Sequence, residues 1–430
     1  MSIVESSHVL EILSQTCDVT LLVPRGLTNS SVYKKFDYQE SRLGKMIRDI
    51  TLFVETMRKS SEVLSFQTRI RTVLGLKMDL NGNYKLVTNN LFGLFFKPRT
   101  LIIYLNYLAA KLMFWRKFLR RISSCWPSLN RGITKSNPDC LIIFSGGVFS
   151  GVENSSIRKC KKLDIPSILI VDNWDNLNSK SILWETADGF GVWGSNMEHD
   201  LRAIHDIHPL VLKHVGSARF RPNEHRGLKL DPDFIFFAGS GKPEFDEMSC
   251  VIRIRKTLDD LNLKELRLIF RPHPLSKISL PRLKQICSEY IGIELDSSLT
   301  GNLNENFYMN DPLLYLESLC KSAKFVIAPQ STIIVESLSL GTPVISLNWS
   351  EVDQNRKPIY EYTHFMELNM TSGFYIAESE AELKSLIPRV LNFTPVNNLV
   401  PEILPDFKNC YADRILDLYK LTLENYSSSR

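Results

Sequence analysis

No stretch of this chain is an uncharged apolar run of the ~18 residues that a spanning helix needs, so a transmembrane helix is not expected. Eight cysteines are present, yet none forms a Cys-x-x-Cys pair or stands at zinc-ligand spacing. That argues against a redox pair, a structural zinc and a disulfide framework. The opening MSIVESSHVLEIL carries acidic residues and lacks the long apolar core of a secretory signal, so the expected location is the cytoplasm. Neither sign of charge is in large excess. The 52 Lys and Arg against 47 Asp and Glu leave +5, too little to announce a nucleic-acid partner. Short repeats, low-complexity tracts and the Walker and Rossmann glycine fingerprints are missing as well.

What is present reads as an ordinary globular chain. It has 430 residues, 44% hydrophobic and 23% charged, which is too long for one core and suggests two domains. Continuous Ile/Leu/Val runs such as CLIIF (140–144), PSILI (166–170), FIFFA (234–238), RLIF (267–270) and AKFVIA (323–328) each precede a helical pattern. Strands of that kind belong to parallel sheets covered on both faces. The polar segment RPNEHRGLKLDPD (221–233) interrupts the pattern and reads as a linker. The expected layout is a first domain over 1–222, a second over 223–395, and a helical tail over 396–430 that packs back on the first.

In doubly wound sheets, ligands sit at the carboxyl ends of the strands. Here those ends carry the unusual residues. PQSTIIVESLSLGTP (329–343) turns from a strand into a short helix: Ser331 and Thr332 suit N-cap positions, Gly341 suits C′, and Pro343 stops the helix. A helix start with added hydroxyls can take an anion, and Glu336 falls on the same face one turn deeper. Plain capping of a structural helix is the competing reading. RPHP (271–274) ends another strand, with Pro272 and Pro274 stiffening a turn that projects Arg271 and His273. Arginine offers a planar fork to phosphate, and histidine can donate to it or protonate a leaving group. FAGSGKPEFDE (237–247) supplies a third end, where Gly239 and Ser240 allow backbone to approach a ligand.

In the first domain, VDNWDNLNSKS (171–181) crowds Asp172, Asn173, Trp174, Asp175, Asn176 and Lys180 behind a strand, and SGGVFSG (145–151), with Gly146, ends the strand before it. Either Asp172 or Asp175 could act as a general base, or the whole loop could be a capped turn. Further upstream, LIIYLNYLAAKLMFWRKFLRRI (101–122) reads as one basic, aromatic-rich amphipathic helix. Its Lys111, Arg116, Lys117, Arg120 and Arg121 suit either an anionic bilayer surface or the solvated end of a core helix.

Together, IVDNWDNLNSK, FAGSGKPEFDE, RPHP and PQSTIIVESLSLGTPVI resemble the strand-end motifs of the GT-B superfamily, over roughly residues 135–350. The likeness is to transferases that build bacterial surface polysaccharides. An HP pair followed by a Ser-Thr pair is similar to bacterial sialyltransferases, Kdo transferases and CDP-glycerol glycerophosphotransferases. The resemblance implies an α/β fold of two Rossmann-like doubly wound domains facing a cleft, and a nucleotide-activated sugar as donor substrate with no cofactor. It places the donor's nucleotide and phosphates against His273, Pro274, Ser331 and Thr332, and the ribose at Glu336; Gln330, beside the Ser-Thr pair, is counted with the donor side. Arg271, Gly239 and Ser240 complete the donor side, while Gly146, Trp174, Asn176 and Lys180 face the acceptor, a glycan or lipid-linked sugar. His273 with Asp175 or Asp172 would carry the chemistry, and no DxD-type pair stands where it could hold a metal. Such a domain opens on a strand and glycine loop, whereas MSIVESSHVLEIL reads as the helix that would follow, so that first strand is expected to be absent, degenerate or upstream. Membrane contact through 101–122 would place the enzyme at the inner face of the membrane. A UDP-GlcNAc 2-epimerase-like enzyme and a degenerate, non-catalytic module of a polysaccharide assembly complex are the alternatives.

Overall fold

A computed structural model describes residues 9–24, 34–39, 41–74, 76–78, 84–86, 98–124, 126–145, 151–180, 182–219, 233–240, 245–273, 276, 278–299, 312–350 and 357–429. The chain forms two compact units, Met1–Ala218 with Asn409–Arg430, and Arg219–Lys408. No helix among the described residues is long and apolar enough to cross a membrane.

In the first unit, α1 (Val9–Ser14) leads to β1 (Thr20–Pro24), which pairs in parallel with β2 (Lys34–Tyr38) as a separate two-stranded sheet. Next come α2 (Arg42–Lys59), α3 (Leu64–Leu74), the antiparallel pair β3 (Leu76–Met78) and β4 (Tyr84–Leu86), α4 (Pro98–Ala109), α5 (Met113–Ser123) and α6 (Pro127–Ser136). The main sheet then runs β5 (Leu141–Phe144), β6 (Ser167–Ile170), β7 (Gly189–Val192) and β8 (Val211–His214), all parallel and in sequential order. α7 (Val152–Leu163), the single turn α8 (Asn176–Ser179) and α9 (Ser195–Ala203) connect these strands.

The second unit opens on β9 (Phe234–Ala238), followed by α10 (Glu247–Asp260), β10 (Arg267–Arg271), α11 (Leu280–Glu289), β11 (Ile293–Leu295), α12 (Pro312–Ser322), β12 (Val326–Ala328), α13 (Ile333–Ser339), β13 (Val344–Leu347), β14 (Phe374–Ala377) and α14 (Glu380–Leu391). Its sheet is ordered β11-β10-β9-β12-β13-β14, with every neighbouring pair parallel. Counted from β9, that is the 3-2-1-4-5-6 order of a doubly wound Rossmann sheet, whose switch point falls between the first and fourth strands. On one face α10, α11 and α14 pack against Phe237 and Phe270, whose rings stack with centroids 5.4 Å apart.

The final helix α15 (Tyr411–Ser428) belongs to the first unit and lies on β7. A methyl on Gly189 would come within 2.4 Å of Thr422, and one on Gly191 within 3.1 Å of Leu418, so glycine is what lets the helix approach. The tail boundary differs from the sequence expectation. Residues 396–408 fold with the second unit, because Leu399 N–H donates to Leu338 C=O and the Val396 backbone lies against Gly341. The division between units falls at 218/219, and the linker residues 220–232 lie outside the described residues.

The expected single helix over 101–122 is two helices, α4 and α5, broken at Ala110–Leu112. The break folds both halves onto α2, in one core of Ile50, Val54, Met57, Ile103, Ala110 and Leu119. Electrostatics fix this arrangement. The buried Glu55 of α2 takes a two-point contact from Arg120 (2.8 Å and 2.8 Å), a further bond from Arg58 (2.9 Å), and has Arg116 at 3.9 Å. Arg116 and Arg120 therefore turn inward, opposite to the lipid-facing role that the sequence also allowed.

His205 is enclosed near the end of α9. Its Nδ1 accepts from Leu183 N–H (3.0 Å) and its Nε2 donates to Leu177 C=O (2.6 Å), which is the neutral ring. Burial lowers its pKa to about 4, while burial raises that of nearby Asp200 to about 6 against the bond from Asn178. The histidine's contribution to stability is complete above its unfolded pKa of ~6.5 and is lost as pH falls through 4, a change of about 3 kcal/mol. Asp200 runs the other way, since its raised pKa favours folding at low pH and that advantage fades as pH rises through 6. In urea melts, the stability advantage of wild type over His205→Gln should shrink by about 3 kcal/mol between ~pH 7 and ~pH 4. An advantage constant across that range would show that His205 is not held neutral.

Candidate functional site

The carboxyl ends of β10, β9 and β12 lie side by side at the switch point of the second sheet. With strands about 4.8 Å apart, the residues that follow β10 and β12 are separated by roughly 10 Å. Gly239 and Ser240, which follow β9, stand between them. The centre of this edge is held from below. Gly239 N–H donates to Arg271 C=O (2.9 Å), and the buried carboxylate of Glu247, in the first turn of α10, accepts from His273 N–H (2.9 Å). Asp246 caps the same helix by accepting from Met248 and Ser249 N–H (3.0 and 3.3 Å). Ser276 N–H closes the turn onto His273 C=O at 2.7 Å. A methyl on Gly239 would lie 2.0 Å from Glu247 Oε1 and 3.2 Å from His273 N, so only glycine leaves room for this bond.

At the end of β12, Gln330 is buried and Ser331 and Thr332 are half-buried. The structure corrects the capping expectation, because Thr332 sits at the N-cap in helical conformation and its side chain makes no capping bond. Neither hydroxyl forms a hydrogen bond among the described residues, so both remain available to a ligand. Gly341 takes the left-handed conformation (φ 80°) that a C′ glycine requires. Glu336 is nearly buried, and one oxygen accepts from Arg219 at 3.0 Å, while its other oxygen makes no bond among the described residues.

Arg271 is placed differently from the sequence reading. Its Nη1 lies 2.5 Å from the fully buried carboxylate of Asp296 and 3.2 Å from Ser298 Oγ. Tyr315 O–H (2.6 Å) and Ser298 N–H (2.9 Å) donate to the other oxygen of Asp296. The guanidinium thus neutralises a buried acid instead of standing as a fork for phosphate. Sequence reasoning missed Glu247, Arg219 and Asp296. Only Glu247 left a signal, as the residue directly after an Asp at N-cap spacing, where a first-turn carboxylate can face the strand end. Pro274 and Gly146 lie outside the described residues.

In the first unit, the crowded loop after β6 is tied to its own residues and to neighbouring elements of the unit. Asp175 pairs with Lys180 (2.9 Å) and accepts from Ser179 Oγ (2.8 Å), so its carboxylate is engaged. Trp174 and Asn176 are buried, the amide of Asn176 donating to Ser145 Oγ at 3.2 Å. Asn178 donates to Asp200 (2.8 Å), tying the loop to α9. Asp172 is held by its backbone, its N–H on Ser145 Oγ (3.0 Å) and its C=O accepting from Trp193 Nε1 (3.2 Å). Its carboxylate helps raise the phenol pKa of the buried Tyr411, though burial does so more. Among the described residues, no group of three or more His, Cys, Asp or Glu side chains is placed to hold a metal ion.

No family model matches the chain, and no curated protein matches it. Among solved structures, the chain is similar to the S. aureus MnaA–UDP co-structure, at 12% identity over 99% of this chain and 94% of that one, with a TM-score of 0.47. It is also similar to Methanocaldococcus jannaschii UDP-GlcNAc 2-epimerase in complex with UDP-GlcNAc and UDP (13% identity, 97% and 96% covered, TM-score 0.43) and to TarM (10%, 69% and 54%, TM-score 0.34). The strand order and parallel pairing define two Rossmann-like α/β units, the second doubly wound.

Substitution of Gly239 by alanine should displace the Glu247 carboxylate and release the His273 turn. The overpacking costs about 1–3 kcal/mol, and the loss of the carboxylate's bond adds to it. Urea unfolding of Gly239→Ala measures this directly, and a midpoint equal to that of wild type would refute the packing described here.

Proposed function

We propose that the second unit binds a nucleotide-activated sugar at its switch point and that the protein is a glycosyltransferase. The observation that carries this reading is the convergence, on one sheet edge, of a glycine-backed gap at Gly239, the locked His273 turn and two hydroxyls at Ser331 and Thr332. Donor groups thus stand on either side of the gap, and the carboxylate of Glu247 at this edge is engaged by His273 N–H. Phosphate oxygens would lie across Ser331, Thr332 and the backbone of the 330–333 turn, with His273 on the opposite side. There the imidazole can donate to the departing phosphate and offset the charge that grows as the glycosidic bond breaks. Glu336, held by Arg219, has an oxygen left to accept from ribose hydroxyls. The acceptor, a glycan or a lipid-linked sugar in surface polysaccharide synthesis, is assigned to the first unit. Asp172 is its remaining candidate base, since Asp175 is neutralised by Lys180.

Thermal shift with CMP, CDP, UDP and GDP tests the binding step, because a ligand that binds only the folded chain raises its stability by mass action. One nucleotide should stabilise the protein. His273→Ala and the double change Ser331→Ala/Thr332→Val should each weaken that binding by roughly ten- to hundredfold, the usual worth of hydrogen bonds to a charged group. Silence with all four nucleotides would leave the degenerate, non-catalytic reading standing. Incubation with the matching nucleotide sugar then separates the reactions. Release of free nucleotide with sugar passing to acceptor or water supports transfer, and epimerisation of the intact nucleotide sugar would replace transfer with the epimerase reading.

A further inference from the structure

From the pair α4–α5 we infer a second functional surface, independent of the nucleotide site: a patch that docks on an anionic lipid bilayer. Residues 80–138 contain ten Lys and Arg and no Asp or Glu, whereas the whole chain is only +5. With that +10 set aside, the remainder carries −5, so this stretch of sequence holds the chain's excess of positive charge. The structure then divides these cations in two. Arg116 and Arg120 turn inward to Glu55, as described above. Lys111 and Lys117 stay exposed and have no partner among the described residues.

Beside those lysines the surface is apolar to an unusual degree. At the break between the helices, Leu112, Met113 and Phe114 are 66%, 61% and 73% exposed, and Leu105 on α4 is 54% exposed. On α5 the outward face is Phe114, Lys117, Phe118 and Arg121, spaced i, i+3, i+4 and i+7, while Trp115 and Leu119 point to the core. Phe114 and Phe118 stack with centroids 6.4 Å apart. Exposed large apolar side chains scattered singly need no explanation, but a contiguous group on one helical hairpin does. An apolar tip that enters the acyl boundary, flanked by Lys111 and Lys117 at headgroup depth, matches a bilayer rich in anionic lipid. A partner protein's hydrophobic pocket would accept the apolar tip but gives no reason for the absence of acids over this whole segment.

Flotation of the full chain with phosphatidylcholine vesicles, with and without phosphatidylglycerol, tests the inference. Binding is expected with phosphatidylglycerol at low salt, and it should weaken in ~1 M salt. Met113→Ser/Phe114→Asp should lower the bound fraction at least about tenfold, and Lys111→Glu/Lys117→Glu should remove the preference for anionic vesicles. All four side chains are exposed, so urea midpoints should match wild type. In contrast Arg120→Ala removes the two-point contact from the buried Glu55 carboxylate and should lower the midpoint. Absence of flotation at low salt, or flotation unchanged in both double variants, would overturn the inference. So would light scattering that shows wild-type dimers which the same two variants dissolve, since the patch would then be a contact between copies.

Discussion

One hydrogen bond organises the candidate site: His273 N–H to the buried carboxylate of Glu247. Glu247 belongs to the helix that follows β9, and His273 to the turn that follows β10, so the bond ties two neighbouring strand ends together. It satisfies a buried anion with a backbone donor, which is far less costly than leaving that carboxylate unpaired. It also consumes the acid locally. A carboxylate facing the gap between the strand ends would repel a phosphate, and this one is turned beneath the gap and screened. Gly239 is the geometric condition for that placement, since any side chain there would occupy the carboxylate's position.

The same two-sided logic explains why the strand ends of the two units differ although their sequences look equally polar. In the first unit, Asp175 and Lys180 pair within the loop, the amide N–H groups of Asn176 and Asn178 reach Ser145 after β5 and Asp200 on α9, and the result is a largely buried turn. In the second unit, Ser331 and Thr332 find none among the described residues, because the short helix begins in helical conformation at Thr332 and leaves no geometry for a side-chain cap. Polar density alone therefore does not mark a site. What sets the second unit apart is a pair of half-buried hydroxyls, Ser331 and Thr332, on a sheet edge whose backbone is already fixed by other bonds.

This also defines what could be read from the residues in order. The parallel sheets were legible, because strands buried on both faces must be continuously apolar, as FIFFA, SILI and VISL are. The strand-end motifs were legible, because a doubly wound sheet puts its unusual residues there. Pairings across long separations were not. Arg271 looks like a phosphate fork until Asp296, 25 residues on, is seen beneath it, and nothing in the sequence near RPHP announces that acid. Glu336 looks exposed until Arg219, 117 residues earlier, is seen to hold it. The break at Ala110–Leu112 was hidden for a related reason: the helical periodicity runs through it, and only the need to cover α2 from both sides bends the chain.

The basic hairpin shows how a single buried acid can sort a run of cations. Lys111, Arg116, Lys117, Arg120 and Arg121 are equivalent by composition, yet Glu55 can be satisfied only from one face of α5. Arginine is the residue that can do so, since its planar fork gives two parallel bonds to one carboxylate, as Arg120 does at 2.8 Å each. The two arginines four residues apart are therefore drawn inward, and the lysines between and before them are left outside with the aromatic rings. Holding Arg120, with Arg116 beside it, against one buried carboxylate fixes the rotation of α5 about its own axis. Once that rotation is fixed, Phe114 and Phe118 have no choice of face, so the exposed apolar strip follows from the ion pair on the opposite side of the helix.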